Sequence, residues 1–193
     1  ECNEVDDEVA TANNYLDNCH NAINAIILPC FDKYNTVVLE SICDSFEYGT
    51  SEKSTPLGKV PVLRMGNIVD GMIDWNDLVY TSNELDIEKL SLKKGDVLFN
   101  RTNSPIHVGK TAIYEEEKTA IFAGYIIRVN YKKDTIRGKY LSYILNSEPM
   151  MRHGFSIMKK SINQANISAS LLSQYEIPLP SLKEQDEIIS KLE

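Results

Sequence analysis

The 193-residue sequence has no CxxC pair, no cysteine–histidine spacing suited to zinc, and no apolar run of membrane-spanning length. A transmembrane helix needs about 20 apolar residues in a row, so a spanning segment is excluded. Cys2, Cys19, Cys30 and Cys43 lie far in sequence from one another, and none reaches His20, His107 or His153 at a zinc-ligand interval. The opening residues, Glu1-Cys2-Asn3-Glu4, are acidic and have no apolar segment behind them, so they are not expected to be a signal peptide. The cysteines are therefore read as reduced thiols of a cytoplasmic protein, with Cys19 and Cys30 as core fillers. An initiator methionine is also lacking, so the chain is expected to begin inside a longer protein. Internal repeats and low-complexity tracts are absent.

Catalytic signatures are missing as well. Gly109-Lys110-Thr111 matches the end of a phosphate-binding loop, but Ser104 stands where that loop requires glycine, and a strand rather than a helix follows. A methyltransferase would need a glycine-rich cofactor loop after a strand, and none is visible. A metal-dependent nuclease needs clustered carboxylates and a lysine. Asp96 with Glu116, Glu117 and Lys118 is the nearest approach to one. Glu115–Lys118 reads more simply as a charged hairpin turn, and Asp96 after Gly95 as a turn residue. No catalytic residue, metal or cofactor is expected, and the chain is read as a non-enzyme.

The net charge of −8 argues against a nucleic-acid partner until it is divided along the chain. Residues 1–35 hold seven acids and one base, residues 181–193 four acids and two bases, and residues 36–180 hold 17 of each. The acid excess lies in the ends, and the neutral middle is free to carry a basic face. Affinity from phosphate contacts alone would be modest, so help from a partner protein is expected.

The periodicities divide the chain in the same way. Val5, Val9, Ala12, Leu16, Cys19, Ile23, Ile26 and Cys30 alternate spacings of four and three, the seam of a coiled coil. Pro29 is expected to end or kink that helix near Leu28. Ser181-Leu182-Lys183-Glu184 is a capping box, followed by an apolar stripe of Leu182, Ile188, Ile189 and Leu192 that the chain cuts short. Between the helices, glycine-punctuated strands are expected at 60–64, 77–81, 96–101, 110–114 and 121–129, with helices at 139–146 and around 169–173. The expected fold is α+β: an antiparallel, barrel-like sheet domain at 34–180, flanked by coiled-coil spacer helices at 1–33 and 181–193.

Four polar, acid-poor clusters stand out in the apparent loops: residues 48–55, 64–67, 100–104 and 159–166. Arginine forks onto guanine, asparagine and glutamine onto adenine, and serine, threonine and lysine onto the DNA backbone. The same residues also favour turns on their own account. The candidate DNA-binding set is Thr50, Ser51, Lys53, Ser54, Arg64, Asn67, Arg101, Asn103, Ser104, Lys110, Lys159, Lys160 and Gln164. Lys110, Lys159 and Lys160 are cast as phosphate contacts, and Asn67 has a competing reading as a turn cap.

The stretch 61–68, Pro-Val-Leu-Arg-Met-Gly-Asn-Ile, resembles a segment of type I restriction–modification specificity subunits. So do 92–104, 108–112, 163–168 and 177–185, in the same order, and together they span most of residues 36–193. Residues 1–35 match only as a helix preceding the domain. The resemblance implies a target recognition domain that reads one half of a split double-stranded DNA site. The flanking helices would form a spacer, and a methyltransferase (modification) subunit and a restriction (translocase/nuclease) subunit would be partners. A single recognition domain leaves open a self-associating half-subunit or part of a two-domain subunit. Two alternatives remain: a helical assembly module for the methylase with the central domain a passive brace, and a metal-dependent endonuclease.

Overall fold

The computed structural model describes residues 2–162 and 164–193, with side chains described from Asn18 onward except at residue 163. It opens with α1 (Cys2–Lys33), followed by β1 (Thr36–Val38), β2 (Cys43–Tyr48), β3 (Val60–Leu63), β4 (Ile68–Val69), β5 (Met72–Ile73) and β6 (Val79–Thr81). Then come α2 (Glu84–Leu90), β7 (Val97–Asn100), β8 (Thr102–Asn103), β9 (Thr111–Ile113), β10 (Ile121–Phe122) and β11 (Ile126–Tyr131). The chain ends with α3 (Gly138–Asn146), α4 (Glu148–Ile157), β12 (Lys159–Lys160), β13 (Ala165–Asn166), α5 (Ala169–Leu172), β14 (Glu176–Pro178) and α6 (Leu182–Leu192). The fold is α+β.

Among the described residues the strands form five small sheets, and none closes on itself. That departs from the expected barrel-like sheet, as does the parallel pairing of β10 with β3. The largest sheet runs β2-β11-β7-β9 and is antiparallel throughout. All four residues of β7 are buried, because the sheet is covered on both faces. Val97 and Phe99 join one core, with α1, α3 and α6, while Leu98 joins a second, with β3, β10 and Leu90 of α2.

The stretch 121–129, expected as one strand, is broken by a corner at Ala123-Gly124-Tyr125. The Ile126 amide donates to the Ala123 carbonyl at 2.9 Å, and the Gly124 amide donates to Thr50 at 2.7 Å. The two halves therefore belong to different sheets.

Helix α1 continues through Pro29 to Lys33 instead of ending near Leu28. Proline removes the amide that would bond Ala25, but Ala25 and Pro29 are both exposed, so water can solvate that carbonyl. Ile27 and Cys30 are buried, and Ile23 and Ile26 pack against the same core. The seam positions Val5, Val9, Ala12 and Leu16 lie outside the residues whose side chains are described. Helix α6 begins after Ser181, whose hydroxyl and the Glu184 carboxylate satisfy each other's backbone amides at 3.4 and 3.1 Å. That hydroxyl is the first cause holding the Glu184 carboxyl below its ordinary pKa. Helix α6 packs against α1 and α3 through Ile188, Ile189 and Leu192.

Candidate nucleic-acid interface

Strands β8, β13 and β12 form a three-stranded ribbon that joins two of the polar clusters. Asn103 pairs with Ala165, Thr102 with Asn166, and Lys159 and Lys160 pair on the far side with Asn166 and Ala165. Asn166 ties the ribbon through its side chain, donating to the Thr102 hydroxyl at 2.6 Å. The same amide accepts from the Arg101 guanidinium at 3.3 Å.

Arg101 is the junction between this ribbon and the rest of the face. Its second terminal nitrogen donates to the Gly124 carbonyl at 3.1 Å. The guanidinium carbon lies 4.8 Å from the centroid of the Tyr48 ring, a cation–π contact. The Tyr48 hydroxyl accepts from the Ala169 amide at 3.0 Å. Tyr48 leads into the first polar cluster, where the Thr50 amide donates to Phe122 at 2.9 Å. A Cβ at Gly49 would stand 2.2 Å from the Phe122 carbonyl oxygen, so no side chain fits there. Segments 48–54, 100–104, 123–125 and 159–166 thus meet around one guanidinium.

The thirteen candidate residues divide under this geometry. Ser51, Lys53, Lys159, Lys160 and Gln164 are exposed, and Ser54, Asn103 and Ser104 are half-buried. Asn103 turns its side-chain oxygen back to the Ser104 amide at 2.8 Å, leaving its amide nitrogen free of a protein acceptor among the described residues. The other candidates are engaged within the fold. Thr50 is buried, and its hydroxyl donates to Asp86 and accepts from the Glu52 amide. Asn67 is 3% exposed; it accepts from the Arg64 amide and donates to the Asp74 and Asn76 carbonyls, which is the turn-cap reading. Arg64 reaches Asp77 at 2.9 Å. Lys110 stands 3.7 Å from Asp70 and lines a cleft of about 560 Å³ between α1, the β4–β5 hairpin, α3 and α4. For Thr50, Arg64, Asn67, Arg101 and Lys110, expected as DNA contacts, the structure shows partners inside the protein.

The acid-poor character of the polar clusters extends well beyond them along the chain. Neither Asp nor Glu occurs between Asp96 and Glu115, between Glu117 and Asp134, or between Glu148 and Glu176. The β8–β13–β12 ribbon and the 123–125 corner come wholly from these three acid-free stretches. The sequence reading passed over Tyr125, Phe155 and Ile162, which are 47%, 52% and 99% exposed on the same segments. A bulky apolar residue in a turn beside two lysines was the available signal at Ile162.

The carboxylates once weighed for cleavage are dispersed. Asp96 and Glu47 clasp Arg128, at 3.1 Å for Asp96, in a largely buried triad beneath the main sheet. Glu115 pairs with Lys139, and Glu117 with Lys94. Among the described residues no group of three or more His, Cys, Asp or Glu stands close enough to hold a metal ion. Nor is any described helix long and apolar enough to cross a membrane.

Residues 32–193 match the family of the type I restriction modification DNA specificity domain. The chain belongs to that family. A putative type I restriction enzyme MjaX specificity subunit of Methanocaldococcus jannaschii is 35% identical over 131 residues, covering 66% of this chain and 31% of the relative. The EcoKI specificity subunit of Escherichia coli is 27% identical over 168 residues, covering 84% and 35%. The specificity-domain chain thus spans about a third of the length of these relatives. The fold is shared with the HsdS subunit of Thermoanaerobacter tengcongensis, at a TM-score of 0.61 and 21% identity over 98% of this chain and 45% of that one. A chain from a solved type I R-M system gives 0.64 at 17% identity, covering 98% and 48%.

Proposed function

We propose that the chain reads one half-site of a double-stranded DNA target and directs partner methyltransferase and restriction subunits to it, without performing catalysis itself. The observation that carries this is the assembly of three distant polar segments and the 123–125 corner around Arg101, on backbone drawn largely from acid-free sequence. Ser51, Lys53, Ser54, Asn103, Ser104 and Gln164 are assigned to the groove, and Lys159 and Lys160 to phosphates. Arg101 and Thr50 hold these residues in place, while Arg64 and Asn67 brace the 64–77 turn. Residues 34–180 act as the recognition domain. Residues 1–33 and 181–193, with helices α1 and α6, belong to a coiled-coil spacer through which the methylase docks and the chain associates with itself. The protein works in the cytoplasm.

Methylation mapping with the intact complex identifies the half-site, and anisotropy titrations over a salt series test the face. Removing Lys159 and Lys160 together should flatten the log–log salt slope by about 0.9 per phosphate contact, equally on matched and mismatched duplexes. Replacing Asn103 or Gln164 with alanine should relax one target position at a cost of about 1–3 kcal/mol. An unchanged salt slope together with an unchanged methylation pattern would remove this face from the DNA. A pull-down that retains methylase with no DNA preference would instead favour a passive brace.

A further inference from the structure

We infer that Ile162 is a specificity-determining residue that reads a thymine methyl group in the major groove; the inference rests on the DNA-reading function proposed above. The Ser161 amide donates to the Gln164 carbonyl at 2.7 Å, closing the β12–β13 turn with Ile162 at its crest. The side chain is 99% exposed, the most exposed of the large apolar residues described. Turns favour glycine, proline, asparagine, aspartate and serine, so turn chemistry gives no reason for a β-branched apolar residue at 162. Nor does packing, since it touches no core.

The surroundings specify the partner. Lys159 and Lys160 are consecutive in a strand, so they project from opposite faces of the ribbon. The Lys160 ammonium lies 4.0 Å from the centroid of the Phe155 ring, which steadies it on one face. No acid occurs from residue 149 to 175, while Arg152, Lys159 and Lys160 all do. A tip with one cation on each flank matches a groove with a phosphate strand along each edge. Paired strands lie about 4.8 Å apart. The major groove is about 12 Å wide and admits a two-stranded ribbon, which the β12–β13 turn presents beyond its pairing with β8. Seated there, the two lysines face opposite phosphate backbones and the isoleucine faces base edges. The apolar group those edges offer is the thymine C5-methyl.

The test uses the intact complex and a duplex carrying its mapped half-site, with each thymine of either strand replaced singly by deoxyuridine. That change deletes only the methyl group. At one position the wild type should bind about four-fold more weakly, the worth of roughly one buried methyl. The Ile162→Ala complex should bind the unmodified duplex several-fold more weakly and be indifferent to deoxyuridine at that position. The inference is overturned if the half-site holds no thymine, if the wild type ignores every deoxyuridine, or if Ile162→Ala responds to them as the wild type does. A uniform loss on all duplexes would make Ile162 a wedge between base pairs, and a loss of complex assembly would make it a protein contact; either sinks the methyl reading. In each of these outcomes, retained discrimination of matched from mismatched sites leaves the broader DNA-reading function standing. Loss of all discrimination in the wild type would defeat that function instead.

Discussion

Replacing Arg101 with alanine separates a residue that reads DNA from one that holds the reading surface together. The guanidinium makes hydrogen bonds to Gly124 and Asn166 at 3.1 and 3.3 Å and a cation–π contact with Tyr48. Two partly buried hydrogen bonds contribute about 1 kcal/mol each. The ring contact adds about 0.5–1 kcal/mol. A loss of about 2–3 kcal/mol follows, which for a chain of this size lowers Tm by roughly 2–4 °C per kcal/mol, or about 5–10 °C in all. Because the face loosens as a unit, binding should fall further on matched than on mismatched duplexes, with discrimination weakened across the whole half-site and no single target position relaxed alone. Calorimetry and anisotropy on the same preparation decide the matter. An unchanged Tm with discrimination lost at one base pair would show that Arg101 meets the DNA and that the junction reading is wrong.

Three further outcomes are expected. Gly49→Ala, whose Cβ would stand 2.2 Å from a carbonyl oxygen, should lower stability by about 1–3 kcal/mol in urea denaturation; an unchanged midpoint would refute the close approach. Asp186 is held below its ordinary pKa chiefly by the hydrogen bond from Arg137. A carboxylate of this kind stabilises the fold above the unfolded-chain pKa of about 4 and loses that contribution as pH falls through the lower folded value. Wild type should therefore lose more stability than Asp186→Asn between about pH 5 and 3, and parallel curves would dismiss the pair. Burial, and then the neighbouring Asp44, pushes the Cys43 thiol up to about 12. Alkylation at pH 8 should spare Cys43 until denaturant is added, and rapid labelling of the native protein would contradict its burial.

The sequence conveyed element type better than element assembly. Helix α3, the capping box of α6 and the strand at Val97–Asn100 were legible because each is set by neighbours within a turn or two. The break at Ala123-Gly124-Tyr125 was not legible, since five of the six positions flanking it within 121–129 are apolar and read as one continuous β run. What ends that run is the Thr50 backbone, brought across from a distant segment. The same limit governs the site. Arginine, asparagine and threonine in a loop have the same composition whether they face solvent or one another. Arg101 and Asn67 look equally suited to DNA, and each finds its partners inside the protein. Lysines with no nearby acid in sequence, such as Lys159 and Lys160, stayed exposed, whereas Lys110 met Asp70 only through the fold.

The charge balance then has a structural reason. A chain of net charge −8 repels a polyanion at long range, but that repulsion weakens beyond a Debye length of about 8 Å in physiological salt. On the proposed reading, what a phosphate meets on contact is the local ribbon, where acids are absent and two lysines project. The acidic ends hold α1 and α6, which pack on each other. Keeping the recognition body neutral limits non-specific affinity, because each phosphate neutralised on arbitrary sequence adds equally to every competing site. Discrimination must then come from short-range contacts at base edges. Those contacts are strong enough only if their donors are held still, and that is the work the proposed function gives to the Arg101 junction. Loosening it should therefore cost the protein its ability to tell sequences apart at least as much as its affinity for DNA.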